Sequence, residues 1–355
     1  MKRKLILTLA AGLAALTLAS CGSRAQTADT PSDASTAQSV AEITVEAADA
    51  SVSETSAPLA TPTSVPSATP ISTDSSVTDS FIGDTPVAEE AAQELPEGTI
   101  DQREVYLTED LEFADYSAIH SDPAILYENH KANSNGITVC VNAGHGTSGG
   151  ESVRTQCHPD GTPKVTGGST AEGSTTATAV ASGMTFQDGT EERSVTLAAA
   201  LILRDRLLDA GYSVLMIRET DDVQLDNIAR TVLANSYANC HIALHWDSTD
   251  YDKGAYYMKV PSVDSYKSMY PVSETWEMSD QFGDCLVQGL AQVGRKVFDD
   301  GHLEMDLTQT SYSKVPSIDI ELGDRASDHS DETLRNIAEG LLMGVNAYFG
   351  IGGQG

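Results

Sequence analysis

Two stretches, Ile137-Thr-Val-Cys-Val-Asn-Ala-Gly-His145-Gly and Cys240-His-Ile-Ala-Leu-His245-Trp, each carry a short apolar run into a histidine beside glycine or tryptophan. A third, Ser317-Ile-Asp-Ile-Glu321-Leu-Gly, runs in the same way into a carboxylate. Short runs of this composition predict strands. In an open α/β sheet the carboxyl ends of the strands converge on one crevice, so His145, His245 and Glu321 are expected to meet around one ion or substrate. Two histidines and a carboxylate in such a crevice suit a zinc hydrolase.

Around these runs strands and helices alternate. Strands are predicted over 137–141, 212–217, 241–244, 255–260 and 317–320, and helices over 192–210, 225–236, 278–298 and 331–349. Gly211 closes the first helix. Strands separated by helices of this length predict an α/β fold: a single domain over 137–350, its sheet mostly parallel and twisted, with helices on both faces. A Gly/Ser/Thr-rich stretch over about 149–189 is expected as a loop insertion in that domain. Residues 99–136 hold Tyr106, Leu111, Phe113, Tyr116, Ile119 and Tyr127, too many apolar groups for a linker, and are expected as an extension packed on the core.

The first 98 residues have a different composition. Lys2, Arg3 and Lys4 precede an apolar run over 5–18, too short to span a bilayer permanently, so 1–20 is expected to be a secretory signal. Its end, Leu18-Ala19-Ser20-Cys21, resembles the lipobox of bacterial lipoproteins, which implies lipidation of Cys21, an extracytoplasmic location and attachment to the membrane by a lipid anchor only. Residues 22–98 carry thirteen acids against one base, Arg24, together with seven of the thirteen prolines. Such a segment buries too little apolar surface to offset its ordering entropy, so 21–98 is expected to be a disordered tether. A coil of that length has an end-to-end distance of roughly 50 Å, suited to a domain working above a membrane.

A formal charge of −31 argues against nucleic acid as a partner and against an anionic membrane surface. It also disfavours adhesion to polyanionic wall polymers. Beyond Cys21 the chain has Cys140, Cys157, Cys240 and Cys285. Cys140 and Cys240 each stand five residues before a motif histidine and are expected as buried free thiols on neighbouring strands. Cys157 is left open between metal binding, pairing with Cys285 and neither.

Taken alone, a glycine-flanked loop histidine is more often a turn residue, and a strand-end histidine more often a hydrogen-bonded core group. Two of them on runs of one type shift the balance towards metal. The ordered set Asn142-Ala-Gly-His-Gly, Glu-Glu192-Arg-Ser-Val-Thr-Leu, Gly211-Tyr-Ser-Val-Leu-Met-Ile-Arg-Glu-Thr-Asp-Asp, Asn227-Ile-Ala-Arg, Ala243-Leu-His-Trp and Ser313-Lys-Val-Pro-Ser-Ile-Asp-Ile-Glu-Leu-Gly resembles the zinc-dependent N-acetylmuramoyl-L-alanine amidases of the amidase type 3 family. The resemblance covers 137–350.

It implies that His145, a helix-opening glutamate and His245 hold Zn2+, and that Glu321 is the catalytic acid/base. It further implies peptidoglycan as substrate, cut at the amide between N-acetylmuramic acid and L-alanine. Helical periodicity does not choose between Glu191 and Glu192; the family pattern implies Glu192, with Glu191 a first-turn carboxylate and Thr190 the N-cap. Three protein ligands leave a fourth position open, and an unliganded carboxylate nearby can move a proton. Asp247 and Asp319 are the next candidates for that proton role.

Three departures from the family pattern stand out. Asn142-Ala143 replaces the usual proline-containing stretch, Trp246-Asp247 replaces the usual asparagine region, and His145 and Glu192 lie 47 positions apart, which makes the 149–189 loop long. Such a loop is expected to shape access, to occlude the site, or to be tolerated. The alternatives to an amidase are a non-catalytic wall-binding relative and a zinc peptidase acting within the stem peptide. No H-E-x-x-H helix supports the peptidase, and no motif names a protein activator.

Overall fold

The computed structural model describes residues 98–352, so the leader, Cys21 and the tether as far as residue 97 lie outside the described residues. The chain enters through β1 (Ile100–Val105) and β2 (Ala124–Asn129), an antiparallel pair built from 99–136. It continues through β3 (Thr138–Ala143), the small hairpin β4 (Arg154–Gln156) and β5 (Thr176–Thr178), α1 (Glu192–Asp209), β6 (Ser213–Met216) and α2 (Asn227–Tyr237). After β7 (Cys240–Asp247) come β8 (Ala255–Lys259), α3 (Asp264–Lys267) and α4 (Val272–Gln292). The last elements are β9 (Val297–Glu304), α5 (Thr308–Ser311), β10 (Ser317–Asp324) and α6 (Asp331–Phe349).

Eight strands form one sheet in the order β1-β2-β6-β3-β7-β10-β8-β9. The central pairs β6–β3, β3–β7 and β7–β10 are parallel, because α1 and α2, and for β10 the longer segment that contains α4, supply crossovers long enough to return the chain in the same direction. β8 instead runs antiparallel to β10. Only residues 248–254 join it to β7, too few for a helical crossover.

Period-2 alternation splits the central strands between two faces. Val139, Val141, Ile242, Leu244, Ile318 and Ile320 pack on one side against Val195 and Leu203 of α1, Phe282 and Leu286 of α4, and Leu334 and Leu341 of α6. On the other side Cys140 and Leu215 meet Ala229 and Leu233 of α2. Helices α4 and α6 touch main chain to main chain, since a Cβ on Gly289 would lie 2.7 Å from the Gly344 nitrogen.

Two expectations from the sequence change here. The helix expected over 278–298 starts at Val272 and ends at Gln292, and Val297 and Phe298 belong to a strand that pairs with β8. Gly294, at φ 81°, breaks the helix, and an open sheet edge then recruits the β-branched and aromatic residues that follow. Thr190 is not the N-cap of α1; Glu191 holds that position without a side-chain cap bond. The Glu192 N–H is satisfied instead by the Met184 carbonyl at 3.0 Å, a tertiary partner that makes the side-chain cap unnecessary.

The four cysteines 140, 157, 240 and 285 are free thiols. Burial pushes the Cys140 and Cys240 thiols well above their ordinary range, as suits small apolar packing groups.

Candidate active site

On the strand face opposite α1, β7 presents His241, Ala243, His245 and Asp247, while β10 presents Ser317, Asp319 and Glu321. The parallel register sets Glu321 beside His245 and Asp319 beside Ala243. The antiparallel pairing sets Glu321 beside Tyr256. Towards the carboxyl ends of these strands His245, Asp247, Asp319 and Glu321 line a cleft of about 730 Å³, together with His145, Glu192 and Arg230 of α2.

His145 lies just beyond β3 with φ 63°, a left-handed conformation uncommon outside glycine. Two buried arginines hold this turn by its carbonyls. Arg218 donates to the oxygens of Ala143 (3.0 Å) and Gly144 (2.8 Å), and Arg230 donates to that of His145 (2.8 Å). Arg230 also donates to Asn142 Oδ1 at 3.0 Å, so the residue standing before the motif alanine joins the same network. Gly144 is required by proximity, because a Cβ there would overlap the His245 ring.

The imidazole of His145 donates from Nδ1 to the Ala181 carbonyl at 2.7 Å. A carbonyl only accepts, so Nδ1 carries the proton and Nε2 the lone pair. That lone pair faces His245 Nδ1 at 3.0 Å and Glu192 Oε1 at 2.9 Å, and His245 Nδ1 lies 3.2 Å from the same carboxylate oxygen. These edges are close to the edge of about 3.3 Å that a tetrahedron with bonds of about 2.0 Å would have.

Glu192 is buried at the N-terminus of α1, where the helix dipole favours a negative charge. Its carboxylate accepts from the main-chain N–H of Trp246 (3.0 Å) and of Met184 (2.8 Å), which fixes the direction of Oε1. Burial alone would raise its carboxyl; hydrogen bonds and charge from His145 and His245 outweigh that and hold it far below the usual range. For His245 burial opposes the charged form, but Asp319, Glu192 and Glu321 raise it to about 10. A site that pulls so strongly on positive charge suits a cation. Among the described residues, His145, Glu192 and His245 are the one group of three or more potential ligands with converging donor atoms.

Glu321 stands next to this triangle without being part of it. Its Oε2 is buried and has no hydrogen-bond partner. Burial raises its carboxyl well above the ordinary value, and Asp319, Glu192 and Asp247 add to the rise against the pull of His245. An unpaired buried carboxylate is costly and calls for a function. Asp247 is already occupied, for it pairs with Lys253 at 2.5 Å and accepts from the Tyr256 hydroxyl.

The loop over 149–189 is built into the site. It is rich in glycine, serine and threonine, yet Cys157, His158, Lys164, Val180 and Phe186 are all buried. Asp306, just after β9, accepts from His158 Nε2 (2.9 Å) and from the Val165 N–H (2.8 Å), which straps the loop to the far edge of the cleft. The loop also supplies the Ala181 carbonyl that orients His145 and the Met184 N–H that orients Glu192. Deletion of 149–185 is therefore expected to lower metal affinity and turnover together, as read by metal analysis and an activity assay on the purified variant. A deletion variant with wild-type metal content and rate would reduce the loop to a border.

The arginines 218 and 230 and the Ala181 carbonyl had no role in the sequence reading. Both arginines lie within motifs quoted above, Ile-Arg-Glu-Thr and Asn-Ile-Ala-Arg, so buried-looking arginines inside motifs were the available signal. Nothing local marks a backbone carbonyl.

Among solved structures the chain is similar to the N-acetylmuramyl-L-alanine amidase Ami1 from Mycobacterium smegmatis, at 20% identity and a TM-score of 0.49 over 61% of this chain and 97% of that one. Ami1 from Mycobacterium abscessus matches at 21% and 0.49 over 60% and 99%, and an N-acetylmuramoyl-L-alanine amidase from Clostridium difficile 630 at 18% and 0.44 over 62% and 100%. No curated protein matches. Residues 139–346, which include His145, Glu192, His245 and Glu321 and make up more than half of the chain, match the N-acetylmuramoyl-L-alanine amidase family, Amidase_3; the chain belongs to this family of peptidoglycan hydrolases.

Proposed function

We propose that this protein is a zinc-dependent N-acetylmuramoyl-L-alanine amidase, secreted and held at the membrane by a lipid on Cys21. The observation that carries it is the convergence of three potential donor atoms, His145 Nε2, His245 Nδ1 and Glu192 Oε1, beside the unpartnered oxygen of Glu321. Two imidazoles and a carboxylate are a donor set for zinc, and three of them leave one position open. Zinc held there supplies Lewis-acid activation of water and of the scissile carbonyl.

The chain's own residues do the rest. Glu321 accepts a proton as the water oxygen adds to the carbonyl carbon of the lactyl amide, and returns it to the alanine nitrogen as the C–N bond breaks. The products are a free lactyl carboxyl and a free L-alanine amine. Burial raises its carboxyl above the ordinary glutamate value, which helps it to keep the proton between the two transfers. Family membership supports the bond that is cut.

Purified sacculi incubated with the metal-loaded protein test this directly. Mass analysis is expected to find intact stem peptides with a free L-alanine amine, alongside glycan that keeps its lactyl groups. Cuts within the stem peptide would make it a peptidase, and absence of soluble product a wall-binding relative. For the anchor, Cys21→Ser is expected to move the protein from the membrane fraction to the soluble one. Wild-type membrane retention of that variant would remove the lipoprotein assignment.

A further inference from the structure

Asp319 is a carboxylate whose position neither the metal triangle nor the proton transfer accounts for. It lies on β10 two residues before Glu321, on the same face of the strand, with its side chain 18% exposed. Its Oδ2 is 3.7 Å from His245 Nε2, and among the described residues that is its one polar partner. The register explains the meeting: Asp319 pairs with Ala243 and Glu321 with His245, so Asp319 stands one same-face position before the cross-strand partner of His245.

His245 turns Nδ1 towards His145 and Glu192, so with a cation held by Nδ1 the ring proton is on Nε2. That N–H has no hydrogen-bond acceptor among the described residues; Asp319 is the negative group facing it, at ion-pair distance. The other motif histidine has the matching arrangement, with its second nitrogen held by the Ala181 carbonyl at 2.7 Å. Each imidazole thus presents one nitrogen to the triangle and turns the other to an outside group, a hydrogen-bonded carbonyl for His145 and a carboxylate at ion-pair distance for His245. A ring tethered at its outer nitrogen keeps the tautomer and plane that metal binding needs.

We propose that Asp319 is the positioning residue of His245: it holds the Nε2–H, sets the ring, and adds a negative charge beside the cation. The inference rests on the zinc site proposed above. It concerns a residue that touches neither the converging donor atoms nor the scissile bond, and it separates Asp319 from Glu321 although the two carboxylates share a strand face.

Zinc affinity, measured on the folded protein by competition with a chromophoric chelator, tests this with no activity assay. Loss of an outer partner of a metal-binding histidine lowers affinity by about 10- to 100-fold, and Asp319→Ala is expected to fall in that range. Asp319→Asn keeps an acceptor for Nε2–H but loses the charge, so a smaller loss is expected. Removing Asp319 loses its attraction for His245 and relieves its repulsion of Glu321, so the thermal midpoint of the metal-free variants should move little. A merely structural Asp319 would lower that midpoint and leave the zinc affinity of the folded protein unchanged.

Both variants binding zinc within about twofold of the wild type, against the range expected for an outer partner, would overturn the role of Asp319 and leave the zinc site standing. A wild type without zinc affinity would overturn the site itself. Should Asp319→Ala fail to fold, the near-isosteric Asp319→Asn carries the test alone.

Discussion

Glu321→Gln is expected to keep its zinc and lose turnover by at least the roughly 10²- to 10⁴-fold that general acid/base help supplies. The amide has the size of the carboxyl but cannot take a proton from water. Zinc content should not change, because Glu321 lies outside the triangle of His145, Glu192 and His245. Folding should not suffer either: Oε2 has no partner to lose, and a neutral amide relieves the crowding of Asp319, Glu192, Asp247 and Glu321 in one cleft. Product release from sacculi, together with metal analysis of the same preparation, checks both halves. A variant with near-normal rates would move the proton role elsewhere. Asp247 is then a poor substitute, because Lys253 and Tyr256 outweigh its burial and hold its carboxyl below the ordinary value.

Glu192→Ala is expected to lose zinc and activity together, whereas the adjacent Glu191→Ala leaves both largely intact. The two side chains differ in surroundings rather than in chemistry. Glu192 is 3% exposed, receives two main-chain N–H groups and points Oε1 at both histidines. Glu191 is exposed and pairs with Arg193 on the surface, an interaction worth about 0–1 kcal/mol. The loss for Glu192→Ala should exceed the about 10- to 100-fold typical of an outer partner, since an inner donor and its charge both go. Removing a buried carboxylate also leaves the Met184 and Trp246 N–H groups unsatisfied, at about 1–3 kcal/mol each, so a lower thermal midpoint is expected alongside. Metal analysis and thermal unfolding of both purified variants check this. Equal zinc loss in the two would mean that α1 begins one residue out of register.

The chemistry of the site lies close to the surface of the sequence because its carriers end strands. Residues 137–145 and 240–245 announce their strands by β-branched and apolar composition, and in a parallel sheet the ends of neighbouring strands must lie together. Period-2 alternation in Ser317-Ile-Asp-Ile-Glu321 already puts Asp319 on the face of Glu321. What Asp319 faces depends on the registry of β10 with β7, which is a pairing between segments more than 70 residues apart. The 149–189 loop misleads in the opposite direction. Its glycines, serines and threonines look like an unstructured insertion, yet Asp306, more than 140 residues from His158 and Val165, holds it in place and brings the Ala181 carbonyl to His145.

The sequence by itself determined what local chemistry encodes: strand and helix periodicity, the α/β class, and the residue types that converge at strand ends. The tertiary structure alone decided the antiparallel entry of β8, the strand that follows α4, the bracing of the His145 turn by Arg218 and Arg230, and the outer partners of both histidines. Periodicity is a property of neighbours along the chain, readable from side-chain order. Satisfaction of a buried polar group instead depends on whichever distant segment brings a donor, an acceptor or a charge within about 3–4 Å, and only packing decides that.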